Sequence, residues 1–336
     1  MKRLSRRNFL TDALSLAGSL PVLTAVRAKD SNANDYPSYL KLYREGTLKQ
    51  REDKLFAYYE NCSLCPRDCR VNRKKGETGK CRATSKVKVA NAHSHFGEEA
   101  PLVGQGGSGT IFFANCGLRC LTCQNYTISI EGEGMEISDD SLAEIMVKLQ
   151  KLGCHNINLV TPTHYAPNIV RAVRLAVPLG LTIPLVYNTG GYEKPEILVF
   201  WDGIVDIYLP DFKYAAPAMA AKYSSEAYNY PHYARLALKE MFRQVGDLEL
   251  DGRGMIARRG IILRHLILPN RIAGTEDVLK FVAENLSKTT YINLMRQYRP
   301  EYKASEFPEL ARQIKSGEYS EAVDWARKYG LTRLDR

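Results

Sequence analysis

Three cysteines, Cys116, Cys120 and Cys123, follow one another as C-x3-C-x2-C in one short stretch of the chain. Three thiolates wound this closely over a loop can hold three irons of a [4Fe–4S] cubane and leave the fourth open. An open iron is what a chelating substrate or cofactor needs, just as an open position marks catalytic zinc sites. A purely structural or disulfide role is the competing reading of the trio. Upstream, Cys62-x2-Cys65-Pro66-Arg67-Asp68-Cys69 is joined by Cys81 after a further eleven residues. Four thiolates close a site, so structural zinc fits, stabilising a segment that has little hydrophobic periodicity of its own. An auxiliary [4Fe–4S] cluster that relays electrons or binds substrate fits equally. Two disulfides are a third option if the chain is exported. The eighth cysteine, Cys154, stands alone beside His155 and reads as a small buried hydrophobe. His93 and His95 alternate on one strand face, where a satisfied structural role is expected rather than metal binding.

Positioning these groups requires a scaffold, and the apolar pattern supplies one. The trio follows a short apolar run, Thr110–Ala114, that predicts a buried strand. From there the pattern alternates. Strands are expected at Ile157–Val160, Leu181–Tyr187, Ile204–Leu209, Ile261–Leu268 and Tyr291–Met295. Helices are expected at Ser141–Leu152, Ile169–Leu179, Pro195–Trp201 and Val278–Leu286, with further helical segments ending at Val245. Six such strands predict an α/β fold of parallel βα units, either a partial barrel or an open sheet. In both forms the chemistry is expected at the C-terminal ends of the strands. Ahead of this region lie a helical stretch over Tyr39–Tyr59, the cysteine-rich module and a strand or hairpin through His93 and His95. A Gly-rich turn, Gly104–Gly109, then leads into the first strand of the series. The expected division is 1–28 signal segment, 29–59 linker and helical lead-in, 60–105 cysteine-rich module and hairpin, and 106–336 catalytic region.

Composition narrows the class. With 45% hydrophobic and 25% charged residues in 336, the chain is an ordinary globular protein. Residues 1–28 hold five basic residues against Asp12, so +4 of the +10 net charge belongs to the N-terminus. Ser5-Arg6-Arg7-Asn8-Phe9-Leu10 matches a twin-arginine pattern, an Ala/Gly/Ser-rich run follows, and Ala25-Val26-Arg27-Ala28 resembles a cleavage site. Export to the periplasm is the expectation, with a cytoplasmic protein bearing a basic start as the alternative. Much of the remaining excess lies between Arg67 and Lys88, where a solvated basic face is expected ahead of a docking surface for an acidic electron carrier. No base-stacking aromatic pattern accompanies it, so nucleic-acid binding is not indicated. Outside the N-terminus no apolar stretch is long enough to predict a transmembrane helix.

The trio and its flanks resemble the radical S-adenosylmethionine (SAM) superfamily. Phe112-Phe113-Ala114-Asn115 before the loop, and Gln124-Asn125-Tyr126-x-Ile128-Ser129 after it, resemble the activating enzymes of pyruvate formate-lyase. Five further segments resemble an uncharacterised subfamily related to those enzymes. They are Thr161–His164, Tyr187–Tyr192, Asp206–Tyr214, Arg264–Leu266 and Asn293–Pro300. That subfamily also shows the Cys62–Cys81 pattern. The resemblance implies a partial (β/α)6 barrel with Cys116, Cys120 and Cys123 on a [4Fe–4S] cluster whose open iron takes the amino and carboxylate groups of SAM. It implies reductive cleavage of SAM to a 5′-deoxyadenosyl radical that abstracts hydrogen, with electrons from a ferredoxin- or flavodoxin-like donor.

Two departures qualify the resemblance. Thr122 stands where many members carry an aromatic residue near the adenine. Thr161-Pro162-Thr163-His164 stands where a Gly-Gly-Glu-Pro-like segment usually meets the SAM amino group, so Thr161, Thr163 and His164 are positional substitutes. Asn188, Asp211, Lys213, Arg264, His265 and Gln297 fall at or near strand ends and complete the expected SAM- or substrate-facing set. Beyond the cluster ligands, no residue is assigned a catalytic step. The leading functional reading is radical generation on a protein or peptide, above all activation of a glycyl-radical enzyme. Radical modification of another protein or a small molecule is the second. The third is an exported metal-binding or electron-transfer protein that no longer turns over SAM.

Overall fold

The computed structural model describes residues 36–335. The twin-arginine segment at 1–28 and the first part of the expected linker lie outside the described residues. Nine strands form one sheet: β1 (Lys88–His95), β2 (Ser108–Phe113), β3 (Met135–Glu136), β4 (Ile157–Val160), β5 (Leu185–Thr189), β6 (Ile207–Pro210), β7 (Glu249–Leu250), β8 (Ala257–Leu266) and β9 (Tyr291–Met295). β2, β4, β5, β6, β8 and β9 pair in that order, and every pairing among them is parallel. β1 adds antiparallel to β2, and β3 to β1. β7 covers the start of β8 on the side where β9 takes over. The fold is mixed α/β, and the sheet is not closed.

Local sequence explains these elements. All five residues of β5 are buried, as a parallel strand covered on both faces requires. It starts at Leu185 rather than at the expected Leu181 because Pro184 has no N–H to give a ladder; its carbonyl instead accepts from Ile157. The helix over Asp139–Lys151 begins at Ser138, whose hydroxyl accepts the Ser141 amide at 3.1 Å. Its first turn is acidic, its last is basic, and it buries Leu142, Ile145, Met146 and Leu149. The expected helix over Tyr39–Tyr59 is two helices, Tyr39–Arg44 and Thr47–Ala57, because Gly46 turns the chain at φ 72°.

Alternation along the strands sends Ile111, Leu159, Tyr187, Tyr208 and Leu263 into the larger core. Val186, Ile207, Leu209 and Ile262 face the other way, over Leu102, Leu248 and Ala257. The expected Gly-rich turn at 104–109 gives up its last two residues to β2 and is preceded by a helical turn, Ala100–Val103. Cys154 is buried, as expected, and His155 accepts the Gly106 amide at 3.1 Å. Among the described residues no helix is long and apolar enough to cross a membrane.

Candidate functional site

The chain leaves β2 through Asn115, which turns it at φ 75°, a conformation Asn tolerates better than most residues. Cys116 follows at once, so the trio occupies the loop at the C-terminal end of the first parallel strand. The three thiols are near enough to interact electrostatically. Each sulfur also accepts a hydrogen bond: Cys116 from the Leu118 amide at 3.4 Å, Cys120 from the Ser224 hydroxyl at 3.1 Å, and Cys123 from the Asn125 amide. The Ser129 hydroxyl stands 3.1 Å from the Cys123 sulfur. Burial pushes the Cys120 thiol up to about 12, against the pull of the nearby Lys213 ammonium, and it raises Cys123 too. Buried thiols of this kind are poor nucleophiles as they stand and become thiolates once a metal takes the proton's place.

The upstream cysteines also come together. Cys62, Cys65, Cys69 and Cys81 line one cavity with Arg67, Asp68, Arg73, Gly79 and His164. Two backbone bonds, Cys62 N–H to Val71 and Arg70 N–H to Cys62, each 2.9 Å, close the loop that carries three of them. Amides of Arg67, Lys80 and Ala83 donate to the sulfurs of Cys65, Cys69 and Cys81. Gly79 is required here: a Cβ at that position would stand 2.5 Å from the Cys69 sulfur. All eight cysteines are free thiols.

Arg73 is 1% exposed, stacks 4.2 Å over the Tyr59 ring and donates to the carbonyls of His164 and Thr84. Among the described residues no carboxylate pairs with it, and its Nε has no hydrogen-bond partner. Burial pulls its basicity down, but Tyr59, Cys81 and Cys62 more than restore it, so the guanidinium stays charged. A buried cation with an unused N–H beside four thiols fits an anionic metal–thiolate centre and does not fit two neutral disulfides. Among the described residues no three His, Cys, Asp or Glu side chains close to the spacing that one metal ion needs.

A second cavity joins the two cysteine sets. Cys65 and Cys81 line it from one side, Cys116 from another, and Thr161, Thr163, His164, Thr189, Gly190 and Glu193 complete much of its wall. Glu193, which is buried, was not legible in the sequence as a site residue. Its carboxylate accepts from Thr163 at 2.5 Å, from Thr189, and from Tyr187 at 3.3 Å. Burial raises it to about 7, and the three hydroxyls only partly offset that. Arg67 spans the seam between the sets. Its Nε donates to Gly117 at 2.9 Å, and its two terminal nitrogens to Ser225 and Ser224 at 2.7 and 2.9 Å.

The structure distributes the other expected residues unevenly. Thr161 and Thr163 line the shared cavity. His164 borders both cavities, but one ring nitrogen is held 2.8 Å from the Ala114 carbonyl, and burial lowers its basicity to about 3. Asp211 and Lys213 pair with each other at 2.6 Å, close to Cys120. Thr122 reaches Tyr214. Asn188 is buried at the end of β5, its side chain without a hydrogen-bond partner among the described residues. Gln297 is exposed and borders neither cavity. Arg264 is committed to Glu98 and, through two bonds, to Glu99, which also accepts from Asn293. His93 stacks on Phe112, and His95 meets Glu98 at 3.0 Å, both within the fold.

His265 is fully buried with both ring nitrogens occupied, by the Phe212 carbonyl at 2.6 Å and the Thr275 hydroxyl at 2.9 Å. Burial lowers it to about 4. A base whose folded pKa is depressed stabilises the fold above its unfolded value of about 6.5, and that contribution disappears as pH falls toward 4. A His265→Gln chain should therefore unfold more easily than the parent at pH 7, by on the order of 3 kcal/mol. The gap should close near pH 4; urea titrations at both pH values that give the same gap would count against a neutral buried imidazole.

No family model matches this chain. Over 283 residues it is 31% identical to Uncharacterized protein MJ0674 of Methanocaldococcus jannaschii, an alignment that covers 81% of this chain and 76% of that protein. At that identity and coverage, this chain belongs to the same family as the archaeal protein.

Proposed function

We propose that this protein is a radical SAM enzyme whose cluster is held by Cys116, Cys120 and Cys123. The observation that carries the reading is the placement of three mutually interacting thiols on the loop leaving the first of six consecutive parallel strands. That succession of parallel strands suits a partial (β/α)6 barrel. Cys116, Cys120 and Cys123 would hold a [4Fe–4S] cluster, which would supply the one-electron chemistry that cleaves SAM and generates a radical.

The chain's own residues bind, orient and exclude water. Ser224 and Ser129 hold the sulfurs of Cys120 and Cys123 in register, as outer hydrogen bonds do around metal ligands. Lys213, locked to Asp211, keeps a positive charge beside Cys120 and offsets the charge that builds up there. Glu193, with three hydroxyls and, among the described residues, no cation paired to it, supplies the carboxylate that the Thr161–His164 segment lacks, and it faces the cavity beside Cys116. Its partner there would be the cationic end of SAM. The target is a protein or peptide, with glycyl-radical formation as the leading case, and the electrons come from a low-potential one-electron carrier.

The direct test is anaerobic. Protein with rebuilt clusters, dithionite and SAM should release 5′-deoxyadenosine, and a Cys116→Ala chain should release none. A reducible cluster that leaves SAM intact, with candidate partner proteins present, would overturn the proposal.

A further inference from the structure

We infer that Cys62, Cys65, Cys69 and Cys81 hold a second [4Fe–4S] cluster, and that this cluster relays electrons to the one on Cys116, Cys120 and Cys123. The inference takes the proposed function as its starting point and adds the route by which the electron arrives.

Three observations carry it. First, all four cysteines line one cavity, so a cubane there would find a thiolate for each of its four irons. Second, the cavity already has the surroundings that an anionic cluster needs. Arg73 brings a buried charge that, among the described residues, has no carboxylate partner and an unused Nε–H, and three backbone amides donate to the sulfurs. Hydrogen bonds to the sulfurs are among the features that set a cluster's potential. Third, the two cysteine sets are neighbours. Cys65 and Cys81 line the same cavity as Cys116, and a Cβ on Gly117 would lie 3.7 Å from the Cys65 sulfur. Arg67 spans the gap, so the separation is fixed. A purely structural metal site would have no need to abut the trio.

The electron count is simple. A carrier of the ferredoxin or flavodoxin class loses one electron, the relay cluster passes from its 2+ to its 1+ state and back, and the cluster on the trio ends in the 1+ state. No bond is made or broken and no proton is required.

The first experiment is metal and sulfide analysis of the anaerobically rebuilt wild-type protein, with a chain carrying Cys116→Ala, Cys120→Ala and Cys123→Ala beside it. The expected result is about eight irons and eight sulfides in the wild type and about four of each in the triple variant. Zinc bound to the triple variant in place of iron overturns the inference. A triple variant that holds as much iron as the wild type sinks the proposed trio cluster and leaves the upstream cluster standing. The relay is read separately, by electron paramagnetic resonance of the reduced wild-type protein. Two clusters this close should broaden or split each other's signals, and the triple variant should show a simple spectrum. Two independent signals in the wild type would refute the relay. Gly79→Ala displaces only the Cys69 thiol, so it tests the same site without removing a ligand: its iron content should fall toward four while the signal of the trio's cluster persists. Full iron in that variant argues against Cys69 as a ligand.

Discussion

An Arg73→Met chain is expected to purify without the metal proposed for the upstream cysteines and to lose about 3–5 kcal/mol of stability. The side chain is 1% exposed, so methionine can occupy much of its volume, but two costs follow. The carbonyls of His164 and Thr84 lose their donor inside the fold. The Cys62–Cys81 site loses the buried Arg73 cation that lines it, and an anionic centre held there would lose charge compensation and with it metal affinity. Arg73→Lys should recover only part of the loss, because an ammonium cannot fork to two carbonyls and stack on Tyr59 as a guanidinium does. Metal analysis with guanidinium unfolding reads both effects. A methionine variant with full metal content would show that the thiol site does not depend on the charge.

The second large effect is expected at Arg67, which holds the two cysteine-bearing segments together. Its three hydrogen bonds end on Gly117, inside the trio's loop, and on Ser224 and Ser225. Ser224 in turn donates to the Cys120 sulfur, so Arg67 positions a proposed cluster ligand through one intervening residue. Arg67→Met should cost about 3 kcal/mol from the lost charge-assisted bonds. It should also lower iron occupancy of the trio and the deoxyadenosine rate by about tenfold or more, the usual scale for outer-shell partners of metal ligands. A merely structural role predicts lower stability with an unchanged rate per iron bound, and measuring both quantities separates the two.

Much of the scaffold was legible in the sequence. β4 and β9 have the bounds that their apolar runs predicted, because short runs flanked by polar residues leave little freedom in where a strand ends. β6 starts three residues later than its run suggested, since Ile204 and Val205 belong to the turn that Trp201 anchors. The helix over Ser316–Lys328 escaped notice because its fully buried residues are alanines, Ala322 and Ala326, and its larger apolar residues, Tyr319, Val323 and Trp325, are scattered among charged ones and only partly buried.

In the site, cysteine spacing located both thiol sets, whereas charge proved a poor guide to direction. The run from Arg67 to Lys88 reads as a basic face, and Lys74, Lys75, Lys80, Arg82 and Lys86 do lie on the surface. Arg73 and Arg67 turn inward, and nothing in their spacing says so. Glu193 sits in a polar, Gly-rich loop and looks like a solvated carboxylate; only the fold reveals the three hydroxyls closing on it. His265 and Arg264 lie at a strand end as expected, yet their polar atoms are spent on holding neighbouring segments together.

The open sheet has a consequence for how the molecule behaves among its own copies. A sheet that does not close leaves two margins that invite pairing with another chain. One margin here is β3, only two residues long, with Glu136 placing a charge on it. The other is shared by β7 and β9, and a returning segment meets β9: Ile292 donates to Arg333, Asp335 donates back to Ile292, and Leu334 bridges to Ile292. The β9 part of the margin that could otherwise template edge-to-edge stacking is partly taken by the protein's own backbone. At the concentrations needed to rebuild clusters and record spectra, that arrangement disfavours colloidal association through the sheet.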